Sequence, residues 1–397
     1  MQTPYVTLKP GKERAVQRRH PWIFSGAVAR IEGRVADGEV VDVQDAQGCW
    51  LARGYLNRRS QIVIRLLTWN LEERIDGAFW RSRIDRAVAG RAALAADPAT
   101  TAYRLVHAES DGLPGLVVDR YGDCLVVQFL ALGVDCHREE ILDALAEQLT
   151  PQAIFERSDV EVREKEGLAQ RTGLLRGVSP PRLLEVLEND HRFEVELATG
   201  QKTGFYLDQR ENRARLPPLC AQADVLDGFA YSGACGVYAA CGGAARVTFL
   251  EASAPALELA RQNLLLNGQD PAAHEFVVGN AFRVLRDFRT AGRTFDVVIL
   301  DPPKFAPASG DVQRAARAYK DINLLAFQLL RPGGILFSTS CSGAISADLF
   351  QKILFGAAVD AGREAQILAY LHQGADHPVA LTFPEGAYLK GLLCRVW

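Results

Sequence analysis

The spacing of apolar and polar residues divides the chain into three parts. In residues 1–70, apolar and polar positions alternate over short runs that glycine turns separate, which is typical of β-strands. No helical period is sustained there, so we predict a small β-barrel. The predicted strands are Tyr5–Leu8, Ile23–Phe24, Gly38–Val43, Trp50–Tyr55 and Gln61–Leu67.

The middle part of the chain mixes helical and strand patterns. Apolar residues recur at helical spacing over residues 74–95, which predicts one helix there. Leu116–Asp119 and Cys124–Leu130 flank a glycine-containing turn and are predicted to form a hairpin. Arg138–Leu149 has the pattern of an amphipathic helix. We therefore expect an α+β domain over residues 71–190.

The last part, residues 191–397, begins with two short apolar runs. Arg192–Leu197 and Gly204–Leu207 are predicted to pair as strands that lead into a charged helix. This helix is predicted over Gln209–Arg215, and the two prolines at positions 217 and 218 are expected to close it.

After Cys220 the pattern becomes regular, because β-rich apolar runs alternate with helical stretches. This alternation is typical of a parallel, doubly wound sheet, the Rossmann-like architecture of α/β proteins. The predicted strands are Asp224–Phe229, Val247–Glu251, Glu275–Val278, Phe295–Leu300 and Gly334–Thr339. The predicted helices are Gly236–Cys241, Pro255–Asn267, Phe282–Phe288, Arg317–Leu330 and Ser346–Ala361.

The distribution of charge points to a class of partner. The chain has 45 Lys+Arg and 48 Asp+Glu, a net charge of −3, which argues against a histone-like chain. Residues 1–70 nevertheless hold 11 basic and 6 acidic residues, so the positive excess is concentrated in the predicted barrel. We expect RNA to bind there, although small barrels also serve as dimerisation modules. The candidate phosphate-binding residues are Arg14, Arg18, Arg19, Arg53, Arg58 and Arg59.

Composition and cysteine spacing indicate which class of protein the chain belongs to. Hydrophobic residues make up 48% of the chain and charged residues 23%, as in ordinary globular proteins. No segment looks like a secretory signal, and none approaches the ~20 apolar residues that span a membrane. The eight cysteines are scattered without CxxC pairs, so we expect no metal site. We expect a cytoplasmic protein with reduced, mostly buried thiols.

Two features downstream of Cys220 indicate a nucleoside-type cofactor. The segment Asp224–Gly236 is a strand that runs into a glycine-rich turn and then a helix, a common ligand-binding arrangement. It lacks the G-x-G-x-x-G spacing, which disfavours a dinucleotide. Glu251 ends the next strand, where a carboxylate can bind both hydroxyls of a ribose. Taken singly, the turn could be structural and Glu251 could cap its helix.

Two further strand ends carry candidate chemistry. Asp301 and two prolines follow the buried run Val297–Leu300, and such a rigid turn can present a carboxylate and carbonyls to a planar base. Cys341 follows the strand Gly334–Thr339 and precedes a predicted helix. A helix N-terminus favours the thiolate form of cysteine, which is the nucleophile.

Together these segments resemble a known family. The chain is similar to the bacterial large-subunit (23S) rRNA cytosine-C5 methyltransferases, Rossmann-type enzymes that use S-adenosylmethionine and carry an N-terminal PUA domain. The residues that carry the resemblance are Arg19–Gly26, Gln201–Arg213, Asp227–Gly236, Asp301–Phe305, Tyr319–Asn323, Ser340–Gly343, Ala375–Pro378 and Tyr388–Gly391.

The resemblance implies a set of cofactor-binding residues. The first cofactor loop would consist of Asp227, Gly228, Phe229, Tyr231, Ser232 and Gly233, with Glu251 on the ribose. Asn280, followed by Ala281, stands where the family usually has an Asp that contacts the adenine amino group. Gln209 would approach the methionine end, and Lys202 and Thr203 could border the site, or belong to a solvated face.

The resemblance also implies a covalent mechanism. The thiolate of Cys341 would add to carbon 6 of cytosine, because carbon 5 alone is too weak a nucleophile. Asp301 would bind the base and also lie by the cofactor, Pro302 and Pro303 would shape the pocket, and Lys304 would contact phosphate or base. The substrate would be large-subunit ribosomal RNA, and the family suggests a homodimer. The residue that removes the carbon-5 proton cannot be named from the sequence.

Other functions stay open at this point. Amino-group methyltransferases acting on guanine N2 or adenine N6 use a related Asp-Pro-Pro turn and need no thiolate. A non-catalytic RNA-binding assembly factor could keep the same fold. A small-molecule methyltransferase is disfavoured by the basic N-terminal part.

Overall fold

The computed structural model describes residues 4–305 and 312–397. Contacts within the chain divide it into two compact units. The first unit comprises Met1–Val186, Val195–Leu207 and Ala375–Gly386, and the second comprises Leu187–Glu194, Asp208–Gly374 and Ala387–Trp397.

The first unit begins with a six-stranded sheet and one short helix. Its strands are β1 (Tyr5–Leu8), β2 (Trp22–Phe24), β3 (Val28–Glu32), β4 (Val40–Gln44), β5 (Trp50–Leu56) and β6 (Ile62–Thr68), in the order β2-β6-β5-β4-β1-β3. Helix α1 spans Arg14–Gln17. All five predicted strands are present, whereas β3 was missed because it begins with two adjacent apolar residues and therefore shows no clear alternation.

The rest of the first unit is a five-stranded sheet with helices. The elements are α2 (Gly77–Ala89), α3 (Ala92–Ala95), β7 (Ala102–His107), β8 (Leu116–Tyr121), β9 (Cys124–Phe129), α4 (Leu132–Cys136), α5 (Arg138–Leu149), β10 (Ala153–Ser158), α6 (Val162–Lys165) and β11 (Arg171–Gly177). The sheet order is β11-β10-β9-β8-β7. The predicted hairpin and the helix from Arg138 are confirmed.

The single helix predicted over residues 74–95 is wrong. The carboxylate of Asp76 accepts hydrogen bonds from the backbone N–H groups of Ala78 and Phe79 and caps α2, which therefore begins three residues later than predicted. Gly90 follows the last residue of α2, and α3 starts separately. Apolar periodicity continued across both helices, because both pack on the same core.

The two sheets of the first unit share buried polar contacts. The hydroxyl of Tyr55 donates to the carbonyl of Pro114 at 2.9 Å. The guanidinium of Arg65 donates to Glu109 and to Glu166, each at 2.9 Å, and all three side chains are nearly inaccessible to solvent. Residues 1–70 and the segment that follows them are therefore joined by buried charges.

The strand pairing predicted at the start of the last part is wrong. Leu184–Glu188 (β12) and His191–Val195 (β13) form a two-stranded sheet, while Gly204–Leu207 is not a strand. The predicted charged helix is reduced to α7 (Arg210–Arg213). The prolines do not close it; they open α8 (Pro217–Cys220), since the first turn of a helix needs no N–H donor.

The second unit contains the predicted Rossmann-like sheet, which is confirmed. Its strands are β14 (Asp224–Gly228), β15 (Arg246–Glu251), β16 (Glu275–Val278), β17 (Phe295–Leu300), β18 (Leu330–Ser340), β19 (Ala365–His372) and β20 (Lys390–Val396). The order is β16-β15-β14-β17-β18-β20-β19. Strands β14 to β18 run parallel, and β20 is antiparallel to both of its neighbours.

Five helices connect these strands and bury their faces. They are α9 (Ala234–Cys241), α10 (Ala254–Leu266), α11 (Ala281–Thr290), α12 (Val312–Leu329) and α13 (Ala347–Asp360). Side chains such as Leu285, Tyr319 and Phe350 pack with the strand residues in one apolar core. Within the described ranges, no helix is long and apolar enough to cross a membrane.

Candidate active site

Four parallel strands of the second unit end at one edge of its sheet. β14 ends at Gly228, β15 at Glu251, β17 at Leu300 and β18 at Ser340. The loops after these strands carry the residues predicted to bind cofactor and base, because ligands bind at the carboxyl edge of such sheets. The fold therefore brings the predicted site residues of these loops together.

The loop after β14 has an unusual backbone. Phe229 and Tyr231 have positive φ angles of 66° and 49°, and Gly233 has φ 78°. A Cβ atom on Gly233 would lie 2.6 Å from the Cβ of Ala260, so only glycine fits. Left-handed non-glycine residues are strained and cluster at binding sites, which supports a ligand-binding role for this loop.

Asp227 lies beneath this loop and is almost fully buried. Its carboxylate accepts a hydrogen bond of 2.8 Å from the backbone N–H of Gly236 in α9. The pKa of Asp227 is raised to about 7, chiefly by burial; the carboxylates of Asp301 and Glu251 contribute to the rise, and Gly236 and Arg213 oppose it. A positively charged ligand would relieve this concentration of negative charge.

Glu251 is held in place by backbone donors. One carboxylate oxygen accepts the N–H of Tyr231 at 3.0 Å, and the other accepts those of Ala252 and Ser253 at 2.8 and 3.0 Å. The side chain that caps α10 is Ser253, not Glu251. Glu251 therefore connects the end of β15 to the loop after β14 with a fixed orientation.

Asn280 is the N-cap of α11. Its side-chain oxygen accepts the backbone N–H of Arg283 at 3.3 Å, and the residue is exposed, whereas Ala281 beside it is buried. Its predicted contact with an adenine ring stays a prediction.

A chain of side-chain hydrogen bonds orients Asp301. The hydroxyl of Thr339 donates to Asp301 at 2.5 Å, and the amide of Gln209 donates to Thr339 at 3.4 Å. The amide of Asn212 in turn donates to Gln209 at 2.7 Å. The sequence pointed to Asp301 and Gln209 but missed Thr339, although its place two residues before Cys341 was a usable signal.

Cys341 directly follows β18 and is partly buried. Helix α13 is capped by Ser346, five residues later, so Cys341 is outside its first turn in sequence. The positive charge beside the thiol is that of Lys390, which interacts electrostatically with Cys341. The structure therefore identifies the Lys390 ammonium group, and not a helix N-terminus, as the source of positive charge near Cys341.

Lys390 belongs to the segment Tyr388–Gly391 that carries the family resemblance, but the sequence analysis gave it no role. It begins β20 opposite Ser340 in β18, and its ammonium group donates to the carbonyl of Ser342 at 2.7 Å. Burial lowers its pKa to about 8, with Lys304 acting in the same direction and Cys341 in the opposite one. A lone lysine between apolar residues of a strand was the signal available in the sequence.

Comparison with known proteins agrees with this geometry. A model of the S-adenosylmethionine-dependent methyltransferases matches residues 170–395, more than half of the chain. The chain belongs to this family. A model of PUA-like domains matches residues 6–69, which confirms the predicted fold of the N-terminal part.

Relatives with assigned names match this methyltransferase along nearly its whole length. A protein of Shewanella amazonensis named "Ribosomal RNA large subunit methyltransferase I" is 50% identical over 392 residues, covering 99% of each chain. A protein of the same name from Klebsiella pneumoniae is 47% identical over 393 residues, covering 99% of this chain and 98% of the relative.

Solved structures share the fold at lower identity. A Streptococcus mutans protein, provisionally described as a methyltransferase of this type, has a TM-score of 0.85 at 23% identity and covers 98% of this chain and 99% of its own. A second structure, described as complexed with SAH, has a TM-score of 0.86 at 23% identity with the same coverage. An Agrobacterium tumefaciens methyltransferase gives 0.53 at 18% identity, covering 76% of this chain and 91% of its own.

The cofactor of the methyltransferase is S-adenosylmethionine, and the site fits it. The strained loop after β14 allows close approach of a ligand, and Glu251 is oriented at the end of β15. The neighbouring carboxylates of Asp227, Glu251 and Asp301 suit a cofactor that carries a positively charged sulfur. Within residues 4–305 and 312–397, no group of three or more metal-ligating side chains could hold a metal ion.

Lys202 and Thr203 belong to the first unit of the methyltransferase. The hydroxyl of Thr203 donates to Asp119 at 2.6 Å and is hydrogen-bonded to Tyr121 at 2.9 Å, and the residue is buried. These contacts show Thr203 as part of the core of the first unit, so the expectation that it borders the cofactor site stays untested.

The candidate RNA-binding arginines are not equivalent. Arg14, Arg18 and Arg19 are exposed on and after α1, and Arg59 is exposed as well. Arg58 forms a partly exposed ion pair with Asp37 at 2.7 Å.

Arg53 differs from the other five arginines. Only 12% of its side chain is exposed, and its guanidinium donates to Asp42 at 2.8 Å and to the carbonyl of Glu73 at 2.6 Å. The interpretation of Arg53 as a phosphate contact is therefore corrected, since its donors already hold the first sheet together.

The cysteines also depart from expectation in part. All eight are free, and Cys124, Cys220, Cys235 and Cys394 are buried as predicted. Cys49, Cys136 and Cys241 are exposed, because they lie at turns and helix ends rather than inside strands or helix cores.

Proposed function

We propose that the protein methylates carbon 5 of a cytosine in large-subunit ribosomal RNA through a transient bond to Cys341. The observation that carries this proposal is the position of Cys341 at the end of β18, in the strand whose Thr339 holds the Asp301 carboxylate. The names of the relatives, which are similar over 99% of the chain, and the PUA-like domain support the choice of ribosomal RNA. Such a substrate implies a cytoplasmic location.

The cofactor is bound, in this proposal, by the loops after β14, β15 and β16. Asp227, Gly228, Phe229, Tyr231, Ser232 and Gly233 surround its methionine part together with Gln209 and Asp301. Glu251 accepts hydrogen bonds from the ribose hydroxyls, and Asn280 with Ala281 lies beside the adenine. When bound, S-adenosylmethionine supplies an electrophilic methyl group.

The protein's own residues activate the base. The thiolate of Cys341 adds to carbon 6, forming an S–C6 bond and moving electron density to carbon 5, which then accepts the methyl group. Asp301 holds and partly protonates the ring-nitrogen and amino edge. Loss of the carbon-5 proton restores the double bond and breaks the S–C6 bond.

The pocket residues position the base for this chemistry. The target base has to leave the RNA stack to reach the pocket, which Pro302 and Pro303 shape. Lys304 is exposed, as a contact with phosphate or base requires.

RNA is held, in this proposal, mainly by the PUA-like domain at residues 1–70. Arg14, Arg18, Arg19, Arg58 and Arg59 are the phosphate contacts, whereas Arg53 is left out because its donors are engaged. Residues 71–190 and 191–397 are the middle and catalytic domains of the proposal. A homodimer is also part of the proposal, and light scattering of the purified protein tests it.

A direct test uses purified protein, large-subunit ribosomal RNA and labelled S-adenosylmethionine. We expect mass analysis of the nucleosides to find 5-methylcytosine with the wild-type enzyme. Cys341→Ala is expected to lose more than about 1,000-fold in activity, because no other group replaces the nucleophile. Cys241→Ala, an exposed cysteine of the same unit, is the matched control and should keep full activity.

Other products would select another function. Methylated guanine N2 or adenine N6, with Cys341→Ala fully active, would contradict the covalent mechanism and favour an amino-group methyltransferase with the same Asp-Pro-Pro turn. Absence of S-adenosylmethionine binding by calorimetry would favour a non-catalytic assembly factor.

A further inference from the structure

Lys390 is a buried amine beside the proposed nucleophile, and the reaction as described so far does not use it. Only 8% of the residue is exposed. In the part of the chain that the structure describes, no carboxylate lies within ion-pair distance of its ammonium group, and its hydrogen bond goes to the carbonyl of Ser342. Buried lysines are rare and are normally paired with an acid, so this one needs an explanation.

The strand register fixes where Lys390 lies. It is opposite Ser340 in β18 and opposite His372 in β19. Its ammonium group reaches Ser342, and the residue between Ser340 and Ser342 is Cys341. The side chain therefore spans the turn that presents the thiol, at the edge of the sheet where the base has to bind.

Few ionisable groups face Lys390. Cys341 and Lys304 interact with it electrostatically. His372, opposite it on β19, is exposed, and on α13 the side chains of Asp348 and Lys352 pair with each other at 2.7 Å on the surface. The charge state of Lys390 therefore depends chiefly on burial and on the state of the thiol.

We propose that Lys390 is the catalytic base that removes the proton from carbon 5 in the last step of the reaction. This inference rests on the proposed cytosine-C5 function. The neutral amine takes the proton and becomes an ammonium ion, the C5–H electrons form the C5–C6 double bond, and the S–C6 bond breaks. Cys341 leaves as a thiolate beside the new positive charge, and the proton is later lost to solvent.

The position of carbon 5 supports this role. Carbon 5 is one bond from carbon 6, so a base that reaches its proton must lie close to the sulfur of Cys341. Tyr319 also interacts with Cys341, but burial raises its pKa to about 12, so its phenol stays protonated at neutral pH. Lys304 is exposed, and Asp301 already accepts the hydroxyl of Thr339.

The charge of the thiol changes during the cycle in the direction that this role requires. Burial lowers the pKa of Lys390 to about 8, and the negative charge of Cys341 opposes that shift. At pH 7.5 such a lysine is neutral in about a quarter of molecules, against about one in a thousand for an ordinary lysine. Bonding of the sulfur to carbon 6 removes its charge, which favours the neutral amine when it is needed.

The test compares Lys390→Arg and Lys390→Gln with the wild type, using RNA that carries tritium at carbon 5 of cytosine. Arginine keeps the positive charge but cannot lose a proton at these pH values. We expect Lys390→Arg to release tritium at least about 100-fold more slowly, while a denaturation-resistant protein–RNA adduct carrying the new methyl group accumulates. Lys390→Gln should show the same block with less adduct, since the thiolate loses its counter-charge.

Controls separate this inference from folding defects. Lys352→Arg, the same change on the surface of α13, should behave as wild type. Calorimetry should show unchanged binding of S-adenosylmethionine for both Lys390 variants. Resolution of the wild-type adduct should speed up as pH rises towards about 8 and then level off, because the adduct lacks the thiolate charge that raises the pKa of Lys390, and Lys390→Arg should lack this dependence.

The outcomes distinguish the two levels of the proposal. Release of tritium by Lys390→Arg within about threefold of wild type would overturn the role of Lys390 as base. Loss of adduct formation in both variants, with cofactor binding intact, would also overturn it and assign Lys390 to thiolate formation. A wild-type product other than 5-methylcytosine would instead overturn the proposed function, whatever the Lys390 variants do.

Discussion

Buried ionisable side chains dominate the chemistry of the sheet edge at the scale of single residues. Asp227 and Lys390 carry opposite charges when ionised, and burial shifts the pKa of each towards the neutral form. Neither forms an ion pair with the other. Their charge states therefore respond to what binds between the strand ends, which is a property of active sites rather than of structural ion pairs.

A residue-scale prediction concerns the pH dependence of stability through Asp227. Its pKa in the folded protein is raised from 3.8 to about 7, so the stability that it contributes is present below pH 4 and is lost as pH rises to 7. Asp227→Asn removes this titration. We therefore compare the free energy of unfolding of the variant with that of the wild type at each pH. We expect the difference, variant minus wild type, to be roughly 2–4 kcal/mol larger at pH 8 than at pH 4.

Chemical denaturation without cofactor, at pH values from 4 to 8, measures this difference. Asp287→Asn, an exposed aspartate of the second unit, should follow the wild-type curve. Parallel curves for Asp227→Asn and wild type would show that Asp227 is ionised throughout.

At the scale of elements, the close packing of α9 on β15 determines the geometry of the cofactor loop. Gly236 in α9 lies against Phe249 in β15, and a Cβ atom there would come within 2.0 Å of the ring. The same glycine donates its N–H to Asp227. The approach of α9 to the sheet therefore fixes both the start of the loop and the carboxylate beneath it.

Two helical glycines of the second unit provide a matched pair of variants. Gly236→Ala must displace Phe249, so we expect a loss of more than about 2 kcal/mol in the free energy of unfolding and weaker cofactor binding. In Gly356→Ala on α13, the new Cβ would be 3.4 Å from the side chain of Lys320, an ordinary contact. That variant should gain about 0.5–1 kcal/mol, because alanine favours helix.

Urea denaturation and calorimetry measure both effects. Equal stability of the two variants would mean that α9 moves away from β15 at little cost.

At the scale of the whole molecule, we expect the first unit to fold as one unit, because buried polar contacts join its parts. Glu166 accepts hydrogen bonds from Arg65, Ser60 and Asn57, all of them in the PUA-like part. Burial alone would raise the pKa of Glu166, but Arg65 and the two hydrogen bonds lower it. Deletion of residues 1–70 would leave this carboxylate buried without its partners. We therefore expect the deletion to destabilise the remaining part of the first unit as well.

Point variants are therefore the better test of RNA binding. We expect Arg14→Ala, Arg18→Ala and Arg19→Ala together to weaken RNA binding. If each side chain contacts one phosphate, the slope of log Kd against the logarithm of the salt concentration should fall by up to about 2–3. Cofactor affinity should not change, since these side chains lie in the first unit.

Arg182→Ala, another exposed arginine of the first unit, is the control for this triple variant and should leave the slope unchanged. An unchanged slope in the triple variant would place the RNA interface elsewhere.

The amino-acid sequence by itself determined the order of elements in the catalytic part. Strands and helices alternate locally there, so apolar runs and glycine turns identified β14 to β18, and parallel strands carry their last residues to one edge. Glu251, Asp301 and Cys341 could be named for this reason, whereas Asp227 was named from the family resemblance. The sequence analysis missed or mispredicted segments whose structure depends on distant partners. Examples are β12, β19 and the interrupted helix over residues 74–95.

Only the tertiary structure decided which polar groups are available for chemistry. The guanidinium of Arg53 donates hydrogen bonds to Asp42 and to the carbonyl of Glu73, and Thr339 links Gln209 to Asp301. Insertion of β20 between β18 and β19 brings Lys390 beside Cys341 from the far end of the chain. Local sequence records the residue types, but burial and charge state come from neighbours that are remote in sequence, and these require the folded chain.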